Sequence, residues 1–162
     1  MISDQLLALR GFVETLPPLL QWLGVALLSA APFVESYFGS AAGVLAGLPL
    51  PVAVASAAVG NTLSMLAFVA AARAGRARIL AGRAPAAPAS PRRARIERLL
   101  HRYGVPLVSL MGQAVLPSQI TSGIMVSLGA RARQVAAWQI VSILLWGSLF
   151  AAIATGLAQL PI

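Results

Sequence analysis

Glu35 is the one acidic or basic residue between Leu16 and Ala72, a run otherwise free of Asp, Glu, Lys and Arg. A carboxyl group in so apolar a stretch is costly, and the chemistry it offers is proton binding and release, because burial favours the neutral acid. Pro32 precedes it, and Gly39, Gly43 and Gly47 follow at intervals of four, which places them with Glu35 on one stripe of a helix. Glycines at that interval let a second backbone come close, as small residues do on helix faces in membranes, so the stripe predicts an inward-facing carboxyl group and a close approach of the second half of the chain. The spacing recurs at Gln119, Gly123 and Ser127, with Pro117 ahead of them as Pro32 is ahead of Glu35. Asn61, Gln113, Ser118, Gln119, Thr121 and Ser122 are the uncharged polar side chains available to hydrogen-bond a protonated Glu35 or to line a polar path. The competing structural readings are a Glu35 that caps a helix at the interface, and polar residues that only join helices within the membrane.

Other chemistries lack their residues. There is no cysteine and one histidine, His101, which lies between Arg98 and Arg102, so no metal set can be assembled. No Ser-His-Asp arrangement, glycine-rich phosphate loop or nucleotide motif is present. The expectation is a protein that is not an enzyme and carries no cofactor. The net charge of +8 comes from arginine alone. Its placement argues for membrane topology and not for nucleic acid.

The elements that must position Glu35 follow from composition. The chain is 59% hydrophobic and 10% charged, with a mean hydropathy of +0.84. A soluble domain has about a quarter charged residues, so this surface is predicted to face lipid. Three nearly uncharged runs, 16–72, 103–130 and 134–162, each exceed the roughly 20 residues that a helix needs to cross a bilayer. Residues 1–15 read as an amphipathic N-terminal helix, 16–72 as a first repeat, 73–102 as an arginine-rich loop ending in an amphipathic helix, and 103–162 as a second repeat. Ser29-Ala30-Ala31 resembles a leader cleavage site. Asp4 and Glu14 against Arg10 are not a basic leader flank, so the segment is expected to be retained.

Each repeat reads as an apolar helix, a proline break, a short apolar helix and one full span, the first span covering 52–72 and the last about 134–158. Two topologies compete: the paired short segments are re-entrant hairpins, or the first member of each pair spans. Residues 73–102 hold nine arginines and are expected to be cytoplasmic. The hairpin topology also returns Arg131 and Arg133 to that side, and limbs of about 24 Å fall short of a ~30 Å crossing. The fold class expected is therefore an all-α integral membrane protein of the inner membrane, built from two inverted repeats, each a re-entrant helical hairpin followed by a transmembrane helix. Broken helices at matching positions of inverted halves point to a transport site.

The stretches PFVESYFGSAAGVLAGLP, Val59-Gly60-Asn61 and RYGVPLVSLMGQAVLPSQITSGIMVSLGAR resemble the small multidrug export protein family and, more distantly, the DedA (SNARE-associated, VTT-type) superfamily. They cover most of residues 30–150. The resemblance implies paired re-entrant hairpins that face each other and, on the DedA side, proton-linked translocation of a lipid or lipid carrier. Glu35 matches the acidic position of the first hairpin, and Gly39, Gly43, Pro117 and Gly123 match its small and kink positions. Relatives often carry arginines in the hairpins. Here Ser36-Tyr37 and Gln113 to Gln119 stand in those regions with no arginine among them, which favours the protonated form of Glu35.

The expected function is proton-linked transport of a lipid or lipid carrier, with membrane lipids as partners and a homodimer enclosing the pathway. The alternatives are export of small amphipathic cations, with Glu35 as counter-charge, and a non-transporting scaffold or assembly factor. The chain has no native cysteine, so single cysteines at positions 3 and 162 test the topology directly. Both should react with an impermeant thiol reagent applied from outside; protection of both, with 73–102 inside, contradicts the hairpins.

Overall fold

A computed structural model describes residues 2–82, 90–113 and 115–158. Among these residues the chain is helical with no strand. In chain order the helices are α1 (Ile2–Glu14), α2 (Gln21–Ser29, entered through a 3₁₀ turn at Pro18–Leu20), α3 (Glu35–Leu45), α4 (Leu50–Leu80), α5 (Pro91–Gly112), α6 (Ser118–Ser127) and α7 (Ala132–Ala158). Arg83 and the rest of 83–89, the centre of the expected loop, lie outside the described residues, as do 159–162.

Among the described residues two helices, α4 and α7, are long and apolar enough to cross a membrane, and a third crossing exists if α1 and the 3₁₀–α2 segment, bent by 118°, count as one. Exposure agrees with composition. The exposed side chains include Leu63, Leu66 and Phe68 on α4 and Leu144, Leu145 and Ile153 on α7, whereas Glu35, Asn61, Gln119 and Gln139 are buried. A water-soluble fold places these classes the other way round.

Local sequence explains the boundaries. Pro49 and Pro51 do not interrupt a helix; they start one. Pro49 O accepts from the amides of Val52 and Ala53, and Pro51 sits in the first turn, where its missing N–H costs nothing. Beyond Ala72, α4 continues through Arg73, Arg76 and Arg78 to Leu80, eight residues past the expected end, because alanine and arginine are strong helix formers. Its 31 residues span about 46 Å, so the arginine-bearing end extends past a ~30 Å hydrocarbon core. Ser90 caps α5 by accepting from the Arg93 amide, with Pro91 in the first turn. Gly104 (φ 70, ψ 178) bends α5 in a conformation reserved for glycine, and Pro106 falls in the first turn of the renewed helix.

The contacts divide the chain into two compact units, Met1–Leu63 with Ile143–Ile162, and Ser64–Ser142. In the first, Val13, Val25 and Ala57 form a core from α1, α2 and α4, so the N-terminal helix, expected to lie at the interface, contributes its C-terminal end to the interior. A Cβ on Gly39 would strike Ser29, and one on Gly43 would lie 2.9 Å from Val25 Cγ2. As α3 advances by four residues its partner on α2 retreats by four, so α2 and α3 run antiparallel. In the second unit, α5 beyond Gly104 packs against α6, with a Cβ on Gly112 placed 3.1 Å from Thr121 Cγ2.

The ends of α3 and α6 are built alike. Gly47 (φ 93) bonds Val44 O while Leu48 N–H reaches Gly43 O. Gly129 (φ 109) bonds Val126 O while Ala130 N–H reaches Met125 O. Both are Schellman motifs, which satisfy the last carbonyls of a helix inside the protein. One position is expected to be unusually intolerant. A Cβ on Gly60 would collide with the backbone carbonyl of Ala26, which cannot rotate away. Gly60→Ala should lower stability by about 1–3 kcal/mol. Gly75→Ala, whose Cβ meets nothing within 4 Å, should be neutral or stabilising by about 0.5–1 kcal/mol. Thermal unfolding in detergent separates the two.

Candidate functional site

Glu35 is the first residue of α3 and is fully buried. It adopts φ 52, and Phe33 two residues earlier adopts φ 73. A side chain in the left-handed region costs on the order of 1–2 kcal/mol, and such strain persists where surrounding structure enforces it. Pro32 thus opens a tight, strained turn, Pro32–Val34, that swings the chain from α2 into α3 and turns the carboxyl group inward. The Glu35 amide still bonds Ala31 O at 3.2 Å.

The rest of α3 is enclosed by protein on several sides. Ser36 Oγ donates to Ile143 O and Ser40 Oγ donates to Gly147 O, each at 2.8 Å and each buried. Both pairs advance by four, so α3 runs parallel to this part of α7. Tyr37 and Phe38 pack on Phe150, with ring centroids 5.4 and 6.0 Å away. Serine hydroxyls bonding across helices are a recurrent join in apolar surroundings. Ser36 and Ser40 therefore bind α3 to α7, a role that their sequence spacing of four carried but that the glycine pattern overshadowed.

The glycine stripe has a different partner from the one expected. Gly39 and Gly43 face α2, with Gly43 also 3.1 Å (from an added Cβ) from Ala53 Cβ of α4. Their neighbours belong to the same half of the chain, because a short hairpin needs its own limbs close before anything else. Gly47 meets nothing within 4 Å and acts as a helix terminator, not as a packing surface. A Cβ on Gly123 would find only Phe68 O at 3.9 Å, an ordinary contact, so the close-packing position of the second unit is Gly112.

The other expected residues divide between the units. Asn61, on α4, is fully buried in the first unit with Glu35. Gln113, Ser118, Gln119 and Thr121 lie in the second, all buried. Pro117 is the N-cap residue of α6, and Thr121 N–H closes the first turn on Pro117 O. Ser118 and Gln119 adjoin at the start of that helix, with Ser118 Oγ 3.4 Å from Gln119 Oε1. Thr121 Oγ1 makes only a long contact, 3.5 Å, to Leu116 O. Ser122 Oγ donates to Gln119 O at 3.0 Å.

Gln113 belongs to a polar cluster that sequence reading did not find. Ser142 Oγ of α7 donates to Gln113 Oε1 at 2.8 Å. Ser109 lies one turn before Gln113, and Gln139 lies three residues before Ser142, so two helix faces present four buried polar groups. Among the described residues, Ser109 Oγ, Gln113 Nε2 and both amide atoms of Gln139 have no hydrogen-bond partner. Each buried polar atom left so costs about 1–3 kcal/mol, which marks the cluster as polar for a reason other than stability. The available signal was Gln139 and Ser142 at helical spacing inside an apolar span.

No protein-family model, curated protein or solved structure matches the chain. Gln139→Leu removes two unpartnered buried atoms and should leave stability unchanged or raise it by about 1 kcal/mol, whereas Ser142→Ala takes the donor from Gln113 and should lower it by about 1–3 kcal/mol. Unfolding curves of the two variants check the opposite signs.

Proposed function

We propose that this chain is a transporter of the inner membrane that moves a lipid or lipid carrier, with Glu35 as the site that binds and releases the coupled proton. One observation carries the reading: a fully buried carboxyl group held at the strained first residue of a helix inside an otherwise uncharged stretch. A side chain needed only for solubility or topology gains nothing from burial and strain. Ser36, Ser40 and the hairpin partner α2 fix the position of that residue, and Asn61, buried in the same unit, supplies an uncharged hydrogen-bonding group.

The architecture proposed with it has two inverted repeats, each a re-entrant hairpin and a spanning helix. Helices α2, α3 and α6 have 9, 11 and 10 residues, about 14–17 Å, which is half a bilayer crossing. The Schellman endings shared by α3 and α6 support a common origin. The arginine-rich segment 73–102 is assigned to the cytoplasm by the positive-inside rule.

The test is transport in vesicles reconstituted with the purified chain, a fluorescent short-chain phospholipid and an imposed pH difference. Wild type should move the lipid faster when the pH difference is present. Glu35→Gln should remove that dependence, and Glu35→Asp should retain part of it. PH-dependent transport that survives Glu35→Gln contradicts the assignment.

A further inference from the structure

Four arginines converge on one cavity in the second unit. Arg73 and Arg76 of α4 and Arg131 and Arg133 at the start of α7 line a space of about 440 Å³, and no carboxylate lines it among the described residues. Like charges gathered without counter-charge repel one another, so the arrangement favours an anion that neutralises them. Arg76 is set in place. Its Nη1 donates to Ser127 O at 3.2 Å, at the C-terminus of α6, and its guanidinium lies over Gly129, where an added Cβ would be 3.1 Å from Nη2. Arg93 donates to Ser127 Oγ at 2.8 Å and braces the same helix end. One hydrogen bond leaves Arg76 with four donors, in a geometry that matches phosphate oxygens.

A second set of donors borders the cavity. Val135 N–H bonds Arg131 O, which makes Arg131 the residue before the first turn of α7. Arginine has no side-chain oxygen to accept the first amides, and Ala132 and Arg133, which carry them, line the cavity. The positive end of a long helix therefore adds to the guanidinium charge.

The lining also indicates where the anion comes from. An adjoining groove of about 430 Å³ runs along α4 past Leu66, Val69, Ala70 and Ala77, and it shares Arg73 and Ala132 with the arginine cavity. A soluble phosphate has no use for an apolar groove beside its site, whereas a lipid places an acyl chain there. We propose that Arg73, Arg76, Arg131 and Arg133 bind the phosphate-bearing headgroup of an anionic lipid, with an acyl chain along α4. The site stands on the membrane reading of the chain and is independent of Glu35 and of transport.

Native mass spectrometry of the full chain in neutral detergent tests it, with equal phosphatidylglycerol and phosphatidylcholine as probes and inorganic phosphate as the soluble competitor. The chain should retain phosphatidylglycerol in preference. The double variant Arg131→Gln/Arg133→Gln should weaken that retention roughly thirtyfold and the single Arg131→Gln roughly fivefold. Both side chains are exposed, so the melting curve should match wild type, and the single variant serves if the double variant does not fold. Arg92→Gln/Arg95→Gln, two exposed arginines outside the cavity, should keep the preference. Equal retention of the two lipids, a preference that survives Arg131→Gln/Arg133→Gln, or an equal loss in Arg92→Gln/Arg95→Gln overturns the proposal. Displacement of phosphatidylglycerol by millimolar inorganic phosphate makes the ligand a soluble anion and overturns the lipid assignment.

Discussion

Backbone amides and carbonyls at the end of a helix need partners, and in apolar surroundings water does not supply them. Helix α3 has 11 residues, so it meets this requirement at both ends within a short distance. At its C-terminus Gly47 and Leu48 close a Schellman motif. At its N-terminus the chain turns through Phe33 and Glu35, both at positive φ. Along its sides Ser36 and Ser40 bond the backbone of α7, and Gly39 and Gly43 admit α2. These contacts together hold a short helix inside protein, and they leave Glu35 buried at its first turn. The proposed proton site depends on that enclosure, because a helix free to slide would carry its carboxyl group to water.

Much of this arrangement was legible in the sequence. The two proline breaks, the start of the short helix at Glu35, the burial of Glu35, Asn61, Gln113 and Gln119, and two long apolar helices all follow from local composition and spacing. What a glycine faces does not. The stripe at Gly39 and Gly43 announces close approach without naming the partner, and the partner is α2. Spacing alone also cannot separate a glycine that packs, as Gly43 does, from one that terminates a helix, as Gly47 does. The arginine segment hid about two helical turns of α4, since a count of charge for topology says nothing about the helix propensity of the same residues. Gln139 was passed over because a single amide in a 27-residue span barely alters its hydropathy.

The arginines also have structural work beyond topology. Arg76 and Arg93 come from two separate helices and meet at Ser127, where the negative end of α6 attracts them. Within the second unit this ties the basic ends of α4 and α5 to the C-terminus of the short helix that begins at Ser118. A change in what the arginine cavity holds would therefore act on a helix whose first turn carries Gln119.

The central claim is that the Glu35 carboxyl group exchanges a proton while enclosed by protein. Infrared difference spectroscopy of the reconstituted chain across a pH titration reads this without a transport assay, and the Glu35→Gln spectrum isolates the contribution of one residue. The account predicts a carbonyl stretch of a protonated carboxyl group, shielded from hydrogen–deuterium exchange, that grows as pH falls and is missing in Glu35→Gln. Superimposable spectra for wild type and Glu35→Gln over the pH range in which transport varies would contradict it.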